Sequence, residues 1–252
     1  MALVQFGVLG PVEVWLADRP ALPGSRQRSM LAALLLGANR VQDTEWLIEV
    51  VWGDTRPPAA GDRLAGHATE LRRLLGRRLE ARSDGYLLVV EPAQLDLSLF
   101  EEAVRRARVD HAARDYAAAA AGLRAALSLW RGHAFANVES RLLREVEAPR
   151  LEERRLSALE DRIEADLRLG RHSWVVAELR DLVTAHPLRE RFWRHLIISL
   201  YRCAQREAAL AAYDRAERAM RALGVTVSGS LRQLALAVRT DHPSLGPPDP
   251  CR

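Results

Sequence analysis

The amino-acid sequence predicts an α+β winged helix-turn-helix domain followed by an all-α, tetratricopeptide-like helical-repeat domain. Three observations predict it. Short β-prone runs broken by turn residues occupy the first 25 positions and recur between 77 and 90. Three apolar stripes at helical spacing lie between those runs. From about Leu97 onward the texture changes to Ala-, Leu- and Arg-rich helical periodicity with almost no strand signal.

The run from Phe6 to Trp15 is β-prone, is broken by Gly10-Pro11, and is followed by a polar turn around Asp18, Arg19 and Pro20. A small antiparallel sheet is expected there. Ser25 is a candidate N-cap for a first helix with apolar positions Met30, Leu31, Leu34 and Leu35, ending near Ala38-Asn39. Asp43 is the N-cap candidate for a second helix, carrying Trp46, Leu47, Val50 and Val51 and closed by Gly53. After a Pro-bearing loop from Asp54 to Pro58, a third helix is expected from about Ala59 to Leu75, with Leu64, Ala68, Leu71 and Leu75 on its packing face. Strand-like Arg77 to Arg82, a turn at Ser83, Asp84 and Gly85, and a strand from Tyr86 to Val90 complete a hairpin. A helix-turn-helix carrying a C-terminal hairpin describes a winged helix, whose third helix enters the major groove while the hairpin reaches the neighbouring backbone.

A boundary is expected between Glu91 and Asp96, giving a winged-helix domain at 1–92, a helical domain at 97–240 and an unstructured tail at 241–252 that holds four prolines. Within the helical part, Val175, Leu179 and Leu182 are followed by Ala209, Tyr213 and Ala216, and the 34 residues from 175 to 209 match the tetratricopeptide period. A related triplet, Ala119, Leu123 and Ala126, lies 56 residues before 175. That spacing implies an insertion formed by Gly132 to Ser140 and a long helix from Leu142 to Leu169. Stacked helical hairpins leave a concave surface for a partner. Trp46, Trp52, Trp130, Trp174 and Trp193 are expected to pack inside the fold.

Composition excludes several classes. Hydrophobic residues at 48% and charged residues at 28% suit a globular chain of 252 residues, long enough for two cores. No apolar run reaches the ~18–20 residues of a membrane span, and Met1 to Gly10 has no basic leader, so a cytoplasmic location is expected. Cys203 and Cys251 are the only cysteines and the seven histidines are scattered, so neither a disulfide framework nor a metal site is supported. Gly-rich phosphate loops, HExxH, CxxC and GxSxG are all missing, and an enzyme is not expected. All 37 basic residues are arginine. Through Asp96 there are 11 arginines against 12 acids, but Arg56 to Val90 holds seven against four, which concentrates the positive field on the third helix and hairpin.

Taken in order, several stretches resemble the Streptomyces antibiotic regulatory protein family, which joins an OmpR/PhoB-type winged helix to a bacterial transcriptional activation domain. They are FGVLGPVEV from Phe6, QRSMLAALLL from Gln27, LIEVVWG from Leu47, LRRLLG from Leu71 and GYLL from Gly85. In the second half LEDRIEADL from Leu159, LGRH from Leu169 and HPLRER from His186 continue the resemblance. It implies an activator of a secondary-metabolite gene cluster, located with the nucleoid, that binds direct repeats in double-stranded promoter DNA as a homodimer. The same resemblance implies recruitment of RNA polymerase through its sigma factor and alpha subunit, with no cofactor.

On matching positions, the resemblance makes the third helix the reader, with Arg63, His67, Thr69, Glu70, Arg72 and Arg73 as DNA-contact candidates. The hairpin would offer Arg77, Arg78, Arg82 and Ser83 to the backbone. Trp52, Asp54 and Arg56 fall in the loop that corresponds to a polymerase contact. Two departures stand out. Glu70 occupies a position where arginine is common, and would repel phosphate or accept from cytosine N4; Gly66 replaces a larger residue. For Arg72 and Arg73 the competing reading is a solvated face or an intrahelical pair with Glu70. The alternative function is a protein-interaction module whose DNA-binding helix has degenerated.

Overall fold

A computed structural model describes residues 4–16, 19–21 and 23–246. The turn expected at Asp18 and the tail from Pro247 on lie outside the described residues. Cα proximity divides the chain into two units, residues 1–106 with 122–158, and residues 107–121 with 159–252.

The first unit begins with strands β1 (Val4–Gly7), β2 (Glu13–Leu16) and β3 (Arg19–Ala21), an antiparallel sheet in that order with Phe6 opposite Val14. Helix α1 (Ser25–Leu36) is the centre of the core, buried continuously from Ser29 to Leu35. Its N-cap is Gly24, one residue before the expected Ser25. The Gly24 N–H donates to Gln27 Oε1 at 2.7 Å, and so Ser25 becomes the first helical residue. Asp43 caps α2 (Thr44–Trp52) as expected, accepting from the Trp46 N–H at 3.0 Å. Helix α3 (Ala60–Leu75) buries Leu64, Ala68, Leu71 and Leu75 against α1 and α2.

The wing carries one strand more than the sequence reading expects. Strands β5 (Leu79–Ala81) and β6 (Gly85–Leu88) form the hairpin, and β4 (Val41–Asp43) pairs with β6 on its other side, giving the order β4-β6-β5. This explains Gly85: a Cβ there would lie 1.9 Å from the Gln42 carbonyl oxygen. Arg77 and Arg78, expected to be strand, form a 3-10 turn that precedes β5.

Residues 91–96 are held to the N-terminal sheet. Leu95 bridges to Phe6, and the Asp96 carboxylate accepts from the Val8 and Leu9 amides at 2.9–3.0 Å. Residues 131–137 run along the same edge, with the Arg131 amide donating to Leu9 O at 2.8 Å. Asn137 both accepts from the Val12 N–H and donates to the Val12 carbonyl. Val8, Leu9 and Val12 are consequently fully buried.

Further along come α4 (Asp96–Ala112), α5 (Tyr116–Ser128) and α6 (Ala148–Arg168), the last preceded by a π-helical turn at Leu143–Glu147. The second unit stacks α7 (His172–Ala185), α8 (Glu190–Arg202), α9 (Arg206–Ala222) and α10 (Gly229–Arg239) in sequence. Val175 on α7 and Ala209 on α9 are both buried, 34 residues apart; in the other two pairs at that spacing Leu179 and Ala216 are buried while Tyr213 and Leu182 are half-buried. Trp193 is buried and donates to the Pro187 carbonyl at 2.9 Å. Trp174 is not a packing residue: it is 71% exposed, under the Arg171 guanidinium. The tail expected to be unstructured begins with a 3-10 turn at Pro243–Leu245. Among the described residues no helix is long and apolar enough to cross a membrane.

Candidate nucleic-acid interface

Burial of every third or fourth residue of α3 turns Arg63, Gly66, Thr69, Glu70 and Arg73 outward on one exposed surface. Arg63 extends from the first turn and makes no ion pair among the described residues. Arg73 is bound to Glu70, Nη1 to Oε1 at 2.6 Å, so the intrahelical pair is formed. Both side chains stay largely exposed, and such a pair is worth only ~0.3–0.5 kcal/mol, little enough to be exchanged for another partner. Thr69 turns its hydroxyl back to the Ala65 carbonyl at 2.9 Å.

Other candidates are engaged elsewhere. Arg72 donates through Nε to the Leu79 carbonyl at 3.0 Å, tying α3 to β5. Arg78 is half-buried and donates to Gln94 Oε1 at 3.0 Å, so it braces the wing. His67 is half-buried with its ring 5.7 Å from that of Trp52. Burial and, secondarily, the nearby Arg26 guanidinium hold His67 below the ordinary imidazole value. That shift favours the neutral ring over the charged form.

The wing presents Arg77, exposed and without an ion pair among the described residues, then Arg82, paired with Glu80, and the exposed Ser83 of the turn. Among the described residues, the exposed cations of α3 and of the wing are thus Arg63, Arg72, Arg73, Arg77 and Arg82, with Arg72 held at Nε by the Leu79 carbonyl. In the loop after α2, Trp52 is buried beneath Arg26, whereas Asp54 and Arg56 are exposed. Arg56 is fixed by a two-pronged bond to Glu45, at 2.6 and 3.1 Å, which raises its pKa. Asp54 lies 3.6 Å from Arg141. Sequence reasoning missed these anchoring roles because spacing gives a residue's face on a helix but not the neighbour that its side chain meets.

Residues 95–239 match the family described as Bacterial transcriptional activator domain. Regulatory protein DnrI of Streptomyces peucetius is 31% identical over 256 residues, a span that covers 96% of this chain and 94% of that protein. This chain belongs to the Streptomyces antibiotic regulatory protein family. Regulatory protein AfsR of Streptomyces griseus, another similar protein, is 36% identical over 98% of the chain; the chain spans about a quarter (26%) of AfsR. Among solved structures, Mycobacterium tuberculosis EmbR in complex with a low affinity phosphopeptide superimposes with a TM-score of 0.93 at 30% identity. It covers 96% of this chain, which in turn covers 66% of the EmbR chain. That likeness supports the winged region followed by helical repeats, and the matched family and the names of these relatives are those of transcriptional activators and regulators.

Proposed function

We propose that this family member is a DNA-binding transcriptional activator of a secondary-metabolite gene cluster, acting in the cytoplasm at the nucleoid. The observation that carries the reading is the joint exposure of α3 and the wing turn, with Arg63 and Arg73 on the helix and Arg77, Arg82 and Ser83 beside it. In this reading α3 enters the major groove, Arg63 and Arg73 contact phosphate or base edges, and the wing grips the adjacent backbone. A homodimer on direct repeats places two such helices on one face of the duplex. Asp54 and Arg56 meet RNA polymerase, through its sigma factor or alpha subunit, from the exposed loop after α2.

A gel-shift series with promoter fragments adjoining the gene, at increasing salt, tests the proposal. Binding is expected to fall steeply with salt, because each neutralised phosphate releases counterions. If no fragment is retained at low salt, the activator reading fails. A second reading is favoured by one specific observation: Glu70 neutralises Arg73 within the outward face, as a surface retired from DNA would. On that reading the protein bridges or titrates other regulators, and the same series returns no salt-sensitive complex.

A further inference from the structure

In the second unit three helices each turn one face toward a common groove of about 500 Å³. Helix α8 supplies Arg194, Ile198 and Arg202, spaced by four residues and therefore stacked on one side. Leu167 and Arg168 come from the last turn of α6, and Gln233, Leu234 and Ala237 from one side of α10. An apolar line, Leu167, Ile198 and Leu234, thus runs between arginines. The electrostatics are one-sided. Glu164 is the groove's only acid among the described residues, and it is occupied by His195 Nε2 at 3.0 Å and Arg168 Nε at 3.1 Å, which hold its carboxyl down at about 2. Arg194 is exposed and has no ion pair among the described residues.

Arg194 and Arg202 stand two turns apart, about 12 Å along α8. Carboxylates placed seven or eight residues apart on a second helix repeat that distance, with an apolar residue midway. We infer that this groove docks an acidic amphipathic helix of a partner protein, with one apolar side chain on the Leu167, Ile198 and Leu234 line and flanking carboxylates on Arg194 and Arg202. Charge complementarity commits the site to an anion, and the apolar line commits it to a peptide, because a phosphate backbone has nothing to place there. The inference does not depend on DNA binding.

The test uses the full chain and a fluorescein-labelled helical peptide of about two heptads with the pattern Glu-x-x-x-Leu-x-x-x-Glu, followed by fluorescence anisotropy. Saturable binding is expected, weakening several-fold between about 50 and 300 mM salt. Replacing both glutamates by lysine should abolish it, and replacing the leucine by serine should weaken it about tenfold. Arg194→Glu, an exposed change that leaves the circular dichroism spectrum unaltered, should weaken the acidic peptide at least tenfold and the leucine-to-serine peptide proportionately. The inference is overturned by absent saturation, by equal binding of the lysine peptide, or by an Arg194→Glu protein that binds as well as the original. Displacement of the peptide by a short DNA duplex in an Arg194-dependent manner assigns the groove to nucleic acid and overturns it as well. So does self-association of the chain that Arg194→Glu abolishes.

Discussion

In the DNA-reading role proposed for α3, single side chains decide how well it can act. Gly66 lies mid-helix with nothing within 4 Å of a would-be Cβ, so the position is glycine for no packing reason. Gly66→Ala should therefore raise stability by up to ~1 kcal/mol, seen as an upward shift in Tm by thermal circular dichroism. An unchanged or lower Tm would show that α3 is distorted there. The Glu70–Arg73 pair makes a sharper case. Glu70→Arg removes an acid and releases Arg73, so affinity for duplex should rise, the salt dependence should steepen, and sequence preference should change. Arg73→Ala should lower affinity across all sequences alike. Gel shifts on a panel of duplexes separate the two, and identical behaviour of both variants would place the docking face elsewhere.

Between elements, the decisive contacts are the ones that link α3, the wing and the N-terminal sheet. Arg72→Ala should leave the Leu79 carbonyl without its donor and cost about 1–2 kcal/mol, measured by urea unfolding of the intact chain. If Arg72 serves DNA alone, the urea midpoint will not move. The sequence made the helices legible where the signal is local. Asp43 sits three residues before the amide it caps, and Leu64, Ala68, Leu71 and Leu75 repeat at the helical period. Strand β4 was not legible, because its three residues read as the approach to α2, and its pairing with β6 spans more than 40 positions of chain. The contacts of Arg72 and Arg78 were not legible for the same reason: nothing near them in sequence reveals that Leu79 and Gln94 bind their guanidinium groups. Trp174 shows the converse, an aromatic at helical spacing that stays outside the core.

Across the whole molecule, the two units answer acid in opposite ways. In the first, burial pushes the Asp96 carboxyl up to about 6 against the Val8, Leu9 and Leu97 amides, while Arg131 lies 3.0 Å away. The folded state then holds an extra proton between the ordinary carboxylate value and about 6, so this group's contribution to stability grows as pH falls through that window. In the second, Glu164 sits at about 2, principally through its bond to His195. Its contribution is complete above the usual value of 4.5 and is lost as pH falls below that. Asp96→Asn should flatten the stability change between pH 7 and 4, and Glu164→Gln that between pH 4.5 and 2, both followed by far-ultraviolet circular dichroism. Unaltered profiles in both variants would remove these groups as the cause. The boundary expected near residue 92 has a consequence of its own: a fragment ending there loses Asp96, Arg131 and Asn137, the partners of Val8, Leu9 and Val12. Residues 1–92 should melt well below residues 1–158 in thermal scans; equal Tm values would show that the shorter piece is self-sufficient. The strand β4 that opens α2 is also hydrogen-bonded into the wing, with Val41 opposite Leu87 and Asp43 opposite Gly85. On the proposed DNA-binding reading, operator preference is therefore not portable as one helix. Anyone transplanting it into a sibling regulator should carry the whole cassette from 41 to 88, because cutting inside it severs the β4–β6 pairing that joins the start of α2 to the wing.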